Sequence, residues 1–140
     1  MQEQNFKKHA QYVPGFHFLT LSVILASLVI AIVLLISGGL NLATAFDLLV
    51  ALSLGLLFYY TRQFATGNQD RIIRDEENFR SYRLTGKELD ERLTKGQIIA
   101  LRFVDDEEYS SLTEKAIKEN LSPVDIKKAV QQWRADHHRV

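Results

Sequence analysis

Two long apolar stretches lie in the N-terminal half of the chain, separated by a short turn. Residues 16–36 are overwhelmingly Leu, Ile, Val, Ala and Phe, and residues 44–64 form a second apolar stretch. No Asp, Glu, Lys or Arg occurs between Lys8 and Asp47. About 20 apolar residues of helix are needed to cross a bilayer core. The pattern therefore predicts two transmembrane helices joined as a hairpin.

Basic residues flank this hairpin on one side only. Lys7 and Lys8 precede the first stretch, Arg62 lies near the end of the second, and Arg71 and Arg74 follow it, whereas residues 37–43 contain no Lys or Arg. Lys and Arg near membrane spans are retained on the cytoplasmic side. We therefore expect an integral protein of the inner membrane, with both termini in the cytoplasm and the short loop outside.

Two polar side chains at the ends of the apolar stretches are candidates for an intramembrane role. Asp47 lies near the start of the second stretch, and acids within membranes often relay protons. Thr44 and Asp47 also have the spacing of a helix N-cap followed by an acid at the third helical position, and this structural interpretation is favoured. His17 lies among aromatic residues at the start of the first stretch, at the level of the membrane interface.

The polar half begins with a continuation of the second helix. Residues 61–83 read as helical, and Glu76 and Arg80 form an i,i+4 pair in the favourable order. Gly67 is an alternative end or kink, but a continuous stalk is favoured. A sparse apolar stripe on this stalk consists of Ile72, Phe79 and Tyr82.

Three capping signals predict short helices after the stalk. Thr85 with Glu88, and Thr94 with Gln97, have the capping-box spacing that opens a helix. Four consecutive acids at residues 105–108 lack the ligand spacing of a calcium loop. Acids stabilise the first turn of a helix, so these four predict a helix start.

Ser122 and Pro123 predict the start of the last helix, as N-cap and first helical residue. Ile126, Val130 and Trp133 would then share one apolar face. Trp133 is the only tryptophan of the chain. We expect it to anchor a small helical core; the alternative is that it contacts a partner.

Arg102 is a second candidate contact for a partner. It lies between Leu101 and Phe103, and interface arginines commonly contribute much of the binding energy. The alternative is that its long stem covers the apolar core while its guanidinium reaches water.

The composition restricts the possible chemistry. The chain contains no cysteine and has a formal net charge of +0, which excludes disulfides and thiolate sites and argues against nucleic-acid binding. Phosphate-loop, esterase and zinc-protease motifs are missing from the sequence. The histidines His9, His17, His137 and His138 do not have the spacing of converging metal ligands. We therefore predict no catalytic residue, cofactor or metal.

Several short segments together resemble a known family. They are residues 4–9, 12–17, 69–74, 84–86, 97–103, 106–108, 126–128 and 133–136. As a set they resemble a bacterial family of small proteins with two transmembrane helices, classed as a domain of unknown function. The resemblance covers nearly the whole chain and implies the hairpin architecture. It implies no activity, ligand or site residue.

The expected fold is all-α: a membrane-embedded helical hairpin with a helical stalk and a small cytoplasmic helical domain. An interfacial segment at 1–15 precedes the hairpin at 16–66, and the stalk and domain occupy 67–140. The favoured function is a membrane-anchored, non-enzymatic interaction module or accessory subunit, in contact with the bilayer and with a protein partner or a second copy. The alternatives are a small oligomeric transport or channel component and a membrane-surface enzyme.

Overall fold

The computed structural model describes residues 5, 6, 8 and 12–136 of the 140-residue chain. Lys7, His9, His137 and His138 lie outside the described residues. The described part is all-helical and contains no strand, which confirms the predicted fold class. Its five α-helices are α1 (Leu21–Gly38), α2 (Leu42–Thr85), α3 (Lys95–Leu101), α4 (Asp106–Lys118) and α5 (Pro123–Ala129).

The chain divides into two compact units, with the boundary along the sequence at residues 66–67 of α2. Residues 12–66 form the hairpin unit, and residues 67–136, with the described residues near the N-terminus, form the polar unit. The helix α2 has no break at Gly67, as predicted for the stalk. Glycine is unfavourable in a helix interior by roughly 1 kcal/mol, a cost small enough for the flanking turns to offset.

The hairpin unit consists of two helices long and apolar enough to cross a membrane. The first begins with a π-helical turn, Gly15–Thr20, that continues directly into α1. The second is the N-terminal part of α2. The Phe16 and Phe58 rings stack with centroids 4.4 Å apart, and the small residues Ala31 and Ala51 are buried. The side chains of both helices are otherwise largely exposed.

The turn between these helices corrects the predicted cap. Gly39, with φ of +70°, ends α1, and α2 begins directly after Asn41. The Asn41 carboxamide oxygen accepts hydrogen bonds from the backbone N–H groups of Ala43 and Thr44, at 3.0 and 3.1 Å. The Thr44 hydroxyl accepts one from Asn41 N–H at 3.0 Å. Asn41 is therefore the N-cap; the prediction of Thr44 was wrong, and Asp47 lies beyond the first turn.

The end of α2 overturns a second predicted cap. Gly86, with φ of +73°, follows the last helical residue, and its N–H bonds to the Tyr82 carbonyl at 2.8 Å. The Thr85 hydroxyl donates to the Ser81 carbonyl at 2.8 Å. Thr85 therefore ends a helix where the sequence predicted a start. Gly86 takes the left-handed conformation that commonly terminates a helix.

The other three helix starts were predicted correctly. Thr94 and Gln97 form the reciprocal capping box of α3. The Asp105 carboxylate caps α4, and the Ser122 hydroxyl caps α5, with Pro123 as its first residue. These helices pack around one apolar core, whose fully buried members include Ala100, Leu101, Val104, Ala116 and Ile126.

The C-terminal segment differs from the predicted helix. The helix α5 ends at Ala129, and Val130 is already extended. Trp133 therefore lies beyond the helix, where it forms an isolated antiparallel bridge with Val104. On either side of this bridge, Arg134 N–H donates to the Phe103 carbonyl at 2.8 Å, and Asp105 N–H donates to Gln132 at 3.2 Å. Residues 130–136 thus form an extended strap across the turn between α3 and α4.

Candidate functional site

A buried ionic cluster lies within the polar unit, where the last turns of α2 meet the turn before α4. Glu77 and Arg80 are only 3% and 4% exposed. Helix α2 places them on the same face as the buried Ile73, since residues three and four apart are neighbours on a helix. A buried charge needs a partner, because transfer from water costs several kcal/mol.

Arg80 is the centre of this cluster. Its guanidinium donates to the Val104 carbonyl at 2.6 Å, to Asp106 Oδ1 at 2.7 Å through Nε, and to Glu77 Oε2 at 3.3 Å. Its Cζ also lies 4.4 Å from the centroid of the Tyr109 ring. One side chain thus connects α2 to the turn before α4 and to the first turns of α4.

Glu77 also pairs with an arginine of the C-terminal strap. Arg134 Nη1 lies 3.7 Å from Glu77 Oε1, and the Tyr109 hydroxyl donates to the Glu77 carbonyl at 3.4 Å. Arg83, which is exposed, reaches Asp106 Oδ2 at 3.0 Å. The cluster therefore contains three arginines, two carboxylates and one phenol, drawn from α2, α4 and the C-terminal strap.

Burial and charge act in opposite directions on the acids. Burial raises the pKa of Glu77 above 4.5, although Arg80 and Arg134 oppose the increase. The hydrogen bond from Arg80 lowers the pKa of Asp106 below 3.8. Burial, followed by the charge of Glu77, raises the pKa of the Tyr109 phenol. The arrangement fits an internal clamp, because its donors and acceptors bind one another.

Sequence reasoning missed this cluster. It paired Arg80 with Glu76, four residues earlier. The structure pairs Arg80 with Glu77 and Asp106 instead. The available signal was Ile73, since Glu77 and Arg80 follow it at i+4 and i+7 and so share its buried face.

Arg102 and Trp133, the predicted partner contacts, lie near one another on the polar unit. The Arg102 side chain is 10% exposed; its Nε lies 3.4 Å from Asp136 Oδ2, and its Cζ lies 4.6 Å from the Phe103 ring centroid. Trp133 is half-buried, with its ring 5.1 Å from that of Phe103. Both side chains therefore pack around the fully buried Phe103. Their role toward a partner stays a prediction.

Asp47 and His17, the predicted intramembrane polar residues, have different surroundings. Asp47 is exposed on α2, in its second turn. His17 Nδ1 accepts a hydrogen bond from Val13 N–H at 3.0 Å, and its ring meets the Tyr12 ring edge-on at 5.5 Å. The His17 side chain thus binds the backbone four residues earlier, at the start of its own helix. An intramembrane role for Asp47 and His17 stays a prediction.

An open groove of about 730 Å³ lies in the polar unit between α2 and the loop before α3. The ion pair of Lys95 Nζ with Asp70 Oδ2, at 2.9 Å, crosses it. Its remaining charged lining has both signs: Arg71, Arg74, Asp75, Glu88, Asp90 and Glu91. Within the described residues, groups of three or more His, Asp or Glu that could hold a metal are not found. The groove is a solvated, mixed-charge surface.

The apolar stripe predicted on the stalk is exposed. Ile72, Phe79 and Tyr82, here called the α2 stripe, are 58%, 70% and 60% exposed. At about 100° per residue, the stripe is centred roughly 140° around α2 from the buried face of Ile73, Glu77 and Arg80. The polar unit therefore packs on one face of α2 and leaves large apolar side chains on another.

The raised pKa of Glu77 predicts a pH dependence of stability. The folded state binds a proton at Glu77 more tightly than the unfolded state, so the free energy of unfolding falls as pH rises from about 4.5 through the folded-state pKa. Asp106 acts in the opposite sense and in a separate range, below about pH 3.8. Denaturation of the detergent-solubilised chain, followed by Trp133 fluorescence, should show the decline above pH 4.5. Glu77→Gln should abolish it; an unchanged slope in this variant would contradict the assignment.

The fold and its surfaces define a class: an all-helical protein with two apolar helices long enough to cross a membrane and a small polar unit with its own core. The chain belongs to a family of unknown function (DUF6526), whose profile matches residues 1–140. No curated protein matches the chain. No solved structure matches it either.

Proposed function

We propose that this protein is a membrane-anchored, non-enzymatic interaction module, or an accessory subunit of a membrane complex. The hairpin unit holds the chain in the bilayer, and the polar unit carries a docking surface. The observation that carries the proposal is the α2 stripe, because it combines high apolar exposure with a location on a folded polar unit.

The hairpin unit supports the anchoring part of this proposal. Its helices carry apolar side chains on all sides, including Val23, Val29, Ile30, Leu49 and Leu57, each more than half exposed. A helix that is apolar all round is stable where lipid or protein covers it. Lipid is the cover that the length of both helices fits.

The polar unit supports the interaction part. It has a core of its own, so the α2 stripe is not needed to complete that core. Large apolar side chains grouped on one face of a folded unit mark interaction surfaces. Aromatic residues such as Phe79 and Tyr82 are enriched where proteins bind one another. The stripe is therefore the surface that we assign to docking.

The distribution of basic residues gives the orientation of the proposed anchor. Lys8 precedes the first apolar helix, Arg62 lies near the end of the second apolar segment, and Arg71 and Arg74 follow it, whereas the connecting turn has no basic residue. Under the positive-inside rule, the polar unit and both termini face the cytoplasm, and Gly39 faces the opposite side of an inner membrane.

Reporter fusions test this topology. A reporter after Val140 should be active on the cytoplasmic side, and one inserted at Gly39 should be active on the other side, because charge asymmetry sets the orientation. The chain should also remain in membranes after an alkaline carbonate wash, which removes peripheral proteins. Release of the chain by this wash, or an external reporter at Val140, would contradict the anchored arrangement.

A further inference from the structure

The α2 stripe has the spacing of a coiled-coil strand. Ile72 and Phe79 lie seven residues apart, and Tyr82 follows three residues later. In a two-stranded coiled coil, core positions a and d alternate at three and four residues. With Ile72 and Phe79 at a, the d positions are Asn68, Asp75 and Tyr82. All five side chains are exposed.

We infer that the α2 stripe pairs with the same stripe of a second copy of this chain, in a parallel two-stranded contact. This inference rests on the proposed function, because anchoring in one membrane gives all copies the same orientation. The same number of residues also separates the stripe from the second apolar segment in every copy. Under two-fold symmetry, Ile72 then faces Ile72 and Phe79 faces Phe79.

Charge complementarity favours a second copy as the occupant. Arg71 falls at the g position and Glu76 at the e position of the seam, and both are exposed. In a parallel pair, each g residue lies next to the e residue five positions later on the other strand. Arg71 of each copy therefore meets Glu76 of the other. The symmetry provides two such ion pairs, one on each side of the apolar contact.

The membrane compensates for the shortness of this seam. Two heptads with two apolar a residues and one apolar d residue are too few for a stable coiled coil in solution. Copies confined to one membrane have a high effective concentration, so a weak contact is sufficient. The inferred pairing is therefore one that requires the anchor.

Asp75 weakens the inferred pairing. At a d position, it brings two like charges together near the symmetry axis, and like charges at short range repel. A polar residue in a coiled-coil core lowers stability while it restricts the register. The inference therefore predicts the sign of one substitution: Asp75→Leu should strengthen the pairing, because it removes the repulsion and adds apolar contact.

Cysteine cross-linking in membranes tests the pairing directly, since the chain has no cysteine of its own. Ile72→Cys and Phe79→Cys should give a disulfide-linked dimer after mild oxidation. Arg74→Cys is the matched control: it is exposed on the same helix, roughly 200° around from Ile72, and should stay monomeric. Equal cross-linking at all three positions would mean random collision and would overturn the inference.

A charge exchange tests the register in the Phe79→Cys background. Arg71→Glu and Glu76→Arg should each reduce dimer yield about fivefold, because each turns two attractions into two repulsions. The two changes together should restore it. Asp75→Leu should raise it. Failure of the double variant to recover would exclude the Arg71–Glu76 contact and hence this parallel pairing.

The masses of the cross-linked products distinguish failure of this inference from failure of the proposed function. One cysteine per chain gives a dimer and no larger homogeneous product, so a product of another mass contains another protein. Such a product at Phe79→Cys would overturn the self-pairing while it supports a docking role for the stripe. Loss of the chain from carbonate-washed membranes would instead refute the anchor, and with it the proposed function.

Discussion

Replacement of Arg80 by methionine should destabilise the polar unit by about 3–5 kcal/mol, the usual cost of breaking a buried ion pair from one side. The change leaves Glu77 buried beside Arg134 alone, and it removes the donor to the Val104 carbonyl. Methionine fills much of the volume of arginine, so the loss is electrostatic rather than a cavity. Denaturation of the full chain in detergent, monitored by Trp133 fluorescence, measures the effect.

Arg83→Met is the matched control for this experiment. Arg83 lies on the same helix and also binds Asp106, at 3.0 Å, but its side chain is 57% exposed. Exposed ion pairs contribute about 0–1 kcal/mol, so the control should remain close to the wild type. Glu77→Leu combined with Arg80→Met should recover part of the loss, because it removes both buried charges. If the two single arginine variants were equally stable, the clamp role of Arg80 would be wrong.

The ionic cluster shows where sequence reasoning reaches its limit. The spacing within α2 identifies which residues share a face, and on that basis Glu77 and Arg80 follow Ile73 into the interior. Their partners Asp106 and Arg134 are far along the chain. A single sequence contains no local signal that unites these four residues, because tertiary packing alone brings them together.

Helix caps were predictable where one residue alone suited the position. Thr94 and Ser122 each precede a helix, and no stronger competitor lies beside them. The four acids at 105–108 predicted the start of α4 but did not single out Asp105 as its cap. At the hairpin turn, Asn41 competes with Thr44, and asparagine is the better N-cap. At Thr85, the glycine that follows takes a positive φ and ends the helix. Both errors came from a correct motif with a stronger signal one to three residues away.

The apolar stripe was also visible in the sequence, although its exposure was not. Ile72, Phe79 and Tyr82 have the spacing of an amphipathic helix, and such a stripe usually packs on the domain core. The structure instead packs another face of α2, roughly 140° around the helix from the stripe. The charged residues Glu77 and Arg80 can occupy the interior because they bond to each other and to Asp106, the Val104 carbonyl and Arg134. The apolar side chains of the α2 stripe lie outside this packed face and are exposed.

Phe103→Ala should cost about 3–5 kcal/mol of folding free energy, the range for a large aromatic removed from a core. Phe103 is fully buried, and its ring packs near the Trp133 ring and the cations of Arg102 and Lys127. Trp133→Ala should cost less, since Trp133 is half-buried and beyond the end of α5. Circular dichroism of thermal unfolding compares the two variants without use of the tryptophan.

If Phe103→Ala costs more than Trp133→Ala, then Phe103, rather than Trp133, is the main aromatic anchor of the polar unit. The Trp133 ring packs against Phe103 from the strap. We expect its pairing with Val104 to persist in Trp133→Ala, because that pairing involves main-chain atoms. Phe103→Leu, which keeps much of the buried volume, should recover a large part of the stability lost in Phe103→Ala. A larger loss from Trp133→Ala than from Phe103→Ala would return the anchor to Trp133, as the sequence had suggested.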